Sequence, residues 1–359
     1  MLLLVAPGLC QRLPCCRVLL NPPRATSGRT LFTLFPRNRG SSSGGPAPEK
    51  SSHWQTRLKI TGGIIISVVG VYYVSHLEKV PETGRWRFMN TSPKFEAEFA
   101  ELARKEYLAE FEDATLPTTH PLSRHVLRVA SRILSASDLG VVRGESVKSA
   151  LIPRKDGDVS NSANTTVEWE VIVVNDRKII NALASPGLIV IFTGILPLCR
   201  DEEGLAAVLA HEIGHVVARH TAERISSQSI RLLLQSLFQF VRTDVEPTGV
   251  ISRNSMQLPN SQTQEHEADL IGLRLMSRAC YNPQNALGIL SRMAHLESKI
   301  PSNRNFTFTH PSSVSRVKSL EEALPEGYAI MATNPDCNHV QQQLGEFNDT
   351  VHAIKVDRI

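Results

Sequence analysis

Residues 205–218 read Leu205-Ala206-Ala207-Val208-Leu209-Ala210-His211-Glu212-Ile213-Gly214-His215-Val216-Val217-Ala218, and this stretch decides how the chain is read. Apolar residues lie on both sides of an H-E-x-x-H pattern. The expectation is a buried helix whose one strongly polar face carries His211, Glu212 and His215. Positions i and i+4 of a helix differ by only about 40° of rotation, so both imidazoles reach one metal ion. Neutral imidazole suits Zn²⁺, and a catalytic zinc takes three protein ligands and a water. Glu212 then sits beside that water as its general base. The plainer alternative is two helical histidines that hydrogen-bond within a core. A third ligand, acidic or imidazole, decides between them.

Gln264-Glu265-His266-Glu267-Ala268-Asp269 supplies candidates some fifty residues after His215. Glu265 and Asp269 share a helix face at i and i+4, so a ligand and a supporting carboxylate can approach the same site. Asp269 can accept the second ring N–H of His211 or His215 and so fix its tautomer. His266 is the rival ligand but points roughly 100° away from Glu265. Glu267 reads as part of a solvated helix face.

Outward from these motifs the pattern is α+β and mostly helical, with a small sheet. Ser92-Pro93 opens an acidic helix to about Asp113, and Pro121 to about Leu139 forms a second. Thr166–Val174 alternates as a half-exposed strand, and Leu188–Phe192, after the Pro186-Gly187 turn, is a more apolar one. Further helices are expected near 194–226, 228–243, 262–279, 284–299, 313–323 and 338–354. The stripe Ile230, Leu233, Leu234, Leu237, Phe238, Val241 reads as core. Residues 156–165 form a polar loop. Cys199, Cys280 and Cys337 stand apart with no CxxC pair, so neither a thiolate metal site nor a disulfide framework is expected.

The N-terminus has a different character. Seven of the 39 basic residues and one of the 35 acidic ones fall in residues 1–50, so the formal +4 of the 359-residue chain comprises a leader of +6 and a remainder of −2. An Arg-rich, acid-poor leader (Arg12, Arg17, Arg24, Arg29, Arg37, Arg39) has the pattern of a mitochondrial transit peptide, with Ser41–Pro48 as a linker. The near-neutral remainder leaves no basic surface for nucleic acid to explain, and 42% hydrophobic content excludes a disordered chain. Residues 60–77 hold no Asp, Glu, Lys or Arg. They are expected to form one transmembrane helix, with Trp54, Tyr72 and Tyr73 at its borders and Arg57 and Lys59 as a basic flank.

H-E-x-x-H followed by E-x-x-A-D resembles the integral-membrane zinc peptidase family that includes the CAAX prenyl protease and the bacterial heat-shock protease HtpX. Further segments agree with it in order: Asn181-Ala182 with Pro186-Gly187 and Phe192-Thr193-Gly194-Ile195-Leu196, then His220 with Glu223-Arg224, then Thr309-His310-Pro311-Ser312-Ser313 with Arg316. The resemblance covers about residues 80–325. It implies a gluzincin-type peptidase domain over 80–359, one Zn²⁺ per subunit, and Glu265 as third ligand supported by Asp269. It also implies that His310 lies beside the substrate carbonyl and stabilises the oxyanion. The leader, the anchor and Val80-Pro81-Glu82-Thr83-Gly84-Arg85 are similar to mitochondrial inner-membrane members of that family. Two departures stand out. The Pro-Gly-Leu turn after Asn181 is shorter than the family's usual turn, and a single candidate span gives no support for processing of prenylated peptides.

The functional expectation is a zinc endopeptidase, single-pass in the mitochondrial inner membrane with its peptidase domain facing the intermembrane space. It would cleave proteins in or near the bilayer in quality control, with no nucleic-acid partner and with a homo-oligomer left open. Leu188–Phe192 is the expected edge strand for an extended substrate. The rival is a catalytically silent zinc-fold scaffold that assembles partners. Glu212 speaks against it, because a scaffold needs the ligands but not the base.

Overall fold

The computed structural model describes residues 52–143, 167–241, 261–299, 310, 314–338 and 342, with the side chains of 52–59 and 237–241 excepted. The leader and linker, the 156–165 loop, almost all of the expected 338–354 helix and residues 309 and 311–313 lie outside the described residues. Two compact units are present, one ending at Leu77 and the other running on from Glu78.

In the first unit, helix α1 spans Ser52–Ser75. Among the described residues no helix is long and apolar enough to cross a membrane, which corrects the expected span over 60–77. The charge-free part of α1 is residues 60–75, sixteen residues, or about 24 Å of helix against a hydrocarbon core of about 30 Å. Thr61, Ser67 and three glycines dilute its hydropathy further. Its apolar side chains are nonetheless exposed, Ile64, Ile66, Val68, Val71 and Val74 among them.

The second unit opens with a hairpin of β1 (Leu77–Lys79) and β2 (Trp86–Phe88). Its turn closes through Val80 and Arg85, with Gly84 at φ +72°. Helices α2 (Pro93–Glu110) and α3 (Pro121–Ala136) start as the sequence dictates. Ser92 caps the Phe95 N–H, His120 caps the Leu122 N–H, and a proline follows each cap.

A four-stranded sheet follows, built from β3 (Val141–Val142), β4 (Glu168–Val174), β5 (Ala182–Ser185) and β6 (Leu188–Phe192) in the order β3-β4-β6-β5. β4 runs parallel to β3 and β6, and β5 is antiparallel to β6 across the Pro186-Gly187 turn. Two expectations change here. β4 is an inner strand, so Trp169, Ile172, Val173 and Val174 are all buried. β6 is paired on both sides, from Glu170↔Leu188 to Val174↔Phe192 and from Ser185↔Leu188 to Ala182↔Ile191. It therefore cannot be an edge strand; among the described residues the edges are β3 and, beside β6, β5. Its four residues, Ala-Leu-Ala-Ser, were too short and too small to register as a strand by alternation.

The region read as one helix over 194–226 is broken twice. A helical turn, Leu196–Cys199, ends at Arg200 (φ +71°), and Asp201 then caps α4 (Glu202–Val217) by accepting the Gly204 N–H. α4 stops before Arg219 (φ +53°), where α5 (His220–Val241) begins and absorbs the separate helix expected at 228–243. α6 (Gln262–Arg278) opens on a Ser261–Gln264 capping box. α7 (Gln284–Lys299) and α8 (Val314–Thr333) follow. The core joins α3, the sheet, α4 and α6 through Ile133, Leu134, Ile189, Ile191, Leu205, Leu209, Ile213 and Ile271. Of the stripe read as core, Ile230 is buried while Leu233 and Leu234 are exposed. Cys280 and Cys337 form a disulfide, contrary to the expectation of isolated thiols; their 57-residue separation hid the pairing.

Candidate metal centre

α4 and α6 cross at two glycines. A Cβ on Gly214 would lie 2.9 Å from the Ala268 carbonyl oxygen, and one on Gly272 would lie 3.0 Å from the Cα and the nitrogen of His211. This close approach brings the E-x-x-A-D face of α6 against the H-E-x-x-H face of α4. His211 Nε2 and His215 Nε2 are 3.1 Å apart, and each is 3.4 Å from an oxygen of the fully buried Glu265. Three corners of a tetrahedron around zinc, with bonds of about 2.0–2.1 Å, stand about 3.3 Å apart. Glu265 Oε2 is buried and accepts no hydrogen bond, although Arg316 Nη1 comes within 2.9 Å. Oε2 faces His211 Nε2 and Oε1 faces His215 Nε2, and two imidazole nitrogens and a buried carboxylate at that spacing fit a metal ion.

The outward nitrogens of both imidazoles are engaged. His211 Nδ1 lies 3.0 Å from Asp269 Oδ1, and Arg316 holds Asp269 through two hydrogen bonds of 2.7 Å. His215 Nδ1 lies 2.7 Å from His220 Nδ1, whose Nε2 lies 2.9 Å from Glu267 Oε2. His220 can make this contact because the chain turns at Arg219. On an unbroken helix, positions i and i+5 diverge by about 140°.

Electrostatics follow from these contacts. Burial disfavours the His211 imidazolium, but Asp269 and Glu265 outweigh it and raise the pKa to about 10. Burial also opposes the Glu265 carboxylate, yet His310, His211 and His215 hold it well below the usual range. His215 is pulled down, chiefly by burial. Burial lifts Glu212 above the usual carboxylate range, with His310 and His211 partly offsetting it and the Ala184 backbone of β5 bonded to it. A carboxylate with a raised pKa beside a candidate metal site has the character of a general base.

His310 joins the group. Its Nδ1 is 3.0 Å from Glu265 Oε1 and 3.3 Å from His211 Nε2, and its Nε2 is 3.3 Å from Glu212 Oε1. His211, His215, Glu265 and His310 together offer ligand atoms close enough to share one ion. Thus all six expected site residues converge, while His266 turns away to Ser315.

Glu267 departs from expectation. It is buried, not solvated, between His220, Thr83 and Arg85. Burial opposes its charge, but those partners lower its pKa to about 2. Arg316, Arg85 and His220 also reach these side chains; all three fall in segments that carry the family resemblance, but only the fold shows what they touch. Their partners lie on other elements; His220 and Arg316 are buried, and Arg85 is partly exposed.

The model of peptidase family M48 matches residues 151–324. The mitochondrial metalloendopeptidase OMA1 of Schizosaccharomyces pombe is 36% identical over 279 residues, covering 77% of this chain and 75% of that protein. Its Saccharomyces cerevisiae counterpart is 33% identical over 75% of this chain and 74% of its own. The beta-barrel assembly-enhancing protease of Yersinia pestis is more distant, 29% identical over 44% of this chain and 35% of its own. With relatives of this identity and coverage, the chain belongs to peptidase family M48 and is a metalloendopeptidase.

Proposed function

We propose that the protein is a zinc endopeptidase of the mitochondrial inner membrane that cleaves membrane-proximal proteins in quality control. The observation that carries this reading is the convergence of His211 Nε2, His215 Nε2 and the buried Glu265 carboxylate beside Glu212. The mitochondrial placement draws on the two yeast relatives and on the Arg-rich leader. One Zn²⁺ per subunit, when bound, polarises the scissile carbonyl and acidifies the attacking water.

The protein's own residues do the rest. Asp269 and His220 keep both ligand imidazoles aimed inward. Glu212 accepts the water's proton and passes it to the leaving amine. His310, beside Glu212 and the ligand set, donates to the developing oxyanion. β5 offers its free edge to an extended substrate, and its link through Ala184 to Glu212 sets the peptide against the base. Such pairing reads backbone, so selectivity would come from access and local unfolding of the target.

Membrane attachment rests on the exposed apolar side chains of α1, which suit a lipid surface. The Cys280–Cys337 disulfide favours an oxidising compartment, and hence the intermembrane-space side. Mitochondria carrying Glu212→Gln should accumulate uncleaved membrane-proximal proteins, and Ile66→Lys should shift the chain from the membrane pellet to the soluble fraction at neutral pH. An unchanged proteome in the first, with zinc still bound, would defeat the quality-control assignment. Full retention in the second would defeat attachment through α1.

A further inference from the structure

The two ligand histidines are oriented by two arms of different origin. His211 leans on Asp269 and Arg316, both from helices of the peptidase domain. His215 leans on His220, then Glu267, and then on the turn between β1 and β2, which follows α1 directly in the chain. Thr83 Oγ1 donates to Glu267 Oε1. Arg85 donates to Glu267 through Nη2 at 2.7 Å and Nε at 3.2 Å. The same guanidinium grips both oxygens of Glu223 at 2.8 and 2.7 Å. His220, Glu223 and Glu267 could in principle hold a second cation. Arg85 already supplies the positive charge there, so the cluster is a support and not a metal site.

We propose that Arg85 and His220 are positioning residues of the metal centre, which fix the nitrogen that His215 turns toward the metal. The donor inventory leaves one arrangement. A carboxylate only accepts, so His220 must donate from Nε2 to Glu267. In neutral His220, Nδ1 is then the acceptor, and His215 must donate its Nδ1–H to it. The lone pair of His215 consequently lies on Nε2, the nitrogen that faces Glu265 and His211. Arg85 and Thr83 hold the carboxylate at the far end in the orientation this sequence of bonds requires. The chain leaving α1 thus completes the support of a ligand more than a hundred residues away. The inference rests on His215 being a metal ligand, as proposed above.

Supporting partners of ligand histidines are worth about 10–100-fold in metal affinity. The test measures the zinc Kd of the full-length protein by chelator competition, and the visible absorption of the Co²⁺-substituted protein as a report of ligand geometry. Arg85→Met and His220→Leu should each weaken zinc binding 10–100-fold and alter the cobalt spectrum. His220→Gln, which can donate to Glu267 and accept from His215, should restore affinity to within about threefold of the parent. A zinc Kd within twofold of the parent in His220→Leu, with an unchanged cobalt spectrum, would overturn the proposal, as would equal losses in the Leu and Gln variants. Should Arg85→Met fail to fold, the His220 pair decides alone. His215→Ala separates the premises: undiminished zinc binding there would overturn the metal-centre reading itself.

Discussion

Gly272 of α6 faces the backbone of His211 on α4 so closely that a Cβ in its place would stand 3.0 Å from the His211 Cα and nitrogen. The distance between the two helices, and hence the reach of Glu265 to the imidazoles, is set by the missing side chain. Gly272→Ala should push the helices apart by a few tenths of an ångström, destabilise the fold by about 1–3 kcal/mol, and weaken zinc retention. Chemical unfolding and chelator competition on the same preparation check both effects. Gly214→Ala meets the Ala268 carbonyl oxygen at 2.9 Å and should behave alike.

His310 touches both Glu265 and Glu212, so it stands between the metal set and the base. If its task is to stabilise the oxyanion, His310→Ala should keep zinc and lower kcat about 10²–10³-fold with little change in KM. Loss of zinc in step with activity would instead make His310 a ligand. Metal content and steady-state kinetics on one preparation separate the two.

Acid should strip stability from the Arg85–Glu267–His220 arm. Glu267 has a folded pKa of about 2, below the ordinary value of about 4.3. Its contribution is therefore present above about pH 4.3 and is lost as pH falls from there to about 2. In the metal-free protein, Glu267→Gln should be less stable than the parent at pH 6, and the difference should shrink toward pH 2. Urea unfolding across that range checks the sign; a gap that widens in acid would contradict it.

The Cys280–Cys337 bond joins the end of α6, which carries Glu265 and Asp269, to the chain beyond α8, which carries Arg316. Closing a loop of 57 residues is worth up to about 4 kcal/mol in chain entropy. Cys337→Ser should lower the melting temperature, and reduction of the parent should lower it to the same value. A parent insensitive to reductant would show that the bond contributes nothing.

Much of this centre was legible because its ligands lie on two helices with regular spacing. His211, Glu212 and His215 share one face of α4, and Glu265 and Asp269 share one face of α6. What stayed hidden depends on breaks and long-range pairing. His220 reads as one more helix residue until Arg219 turns the chain, and Glu267 reads as solvated until Arg85 arrives from the first hairpin. β6 looked like an edge because its partner β5 is four small residues with little pattern of their own. Residues 60–77 read as longer than the helix they provide, because α1 ends at Ser75 while the charge-free run continues to Leu77.

In the proposed mechanism Glu212 takes the proton from water at a zinc held by His211, His215 and Glu265. The most direct test is cleavage of an unfolded protein substrate by purified Glu212→Gln, with bound zinc measured in the same sample. Parental zinc content is expected there, with turnover reduced about 10²–10⁴-fold. Parental turnover at parental zinc content would contradict it.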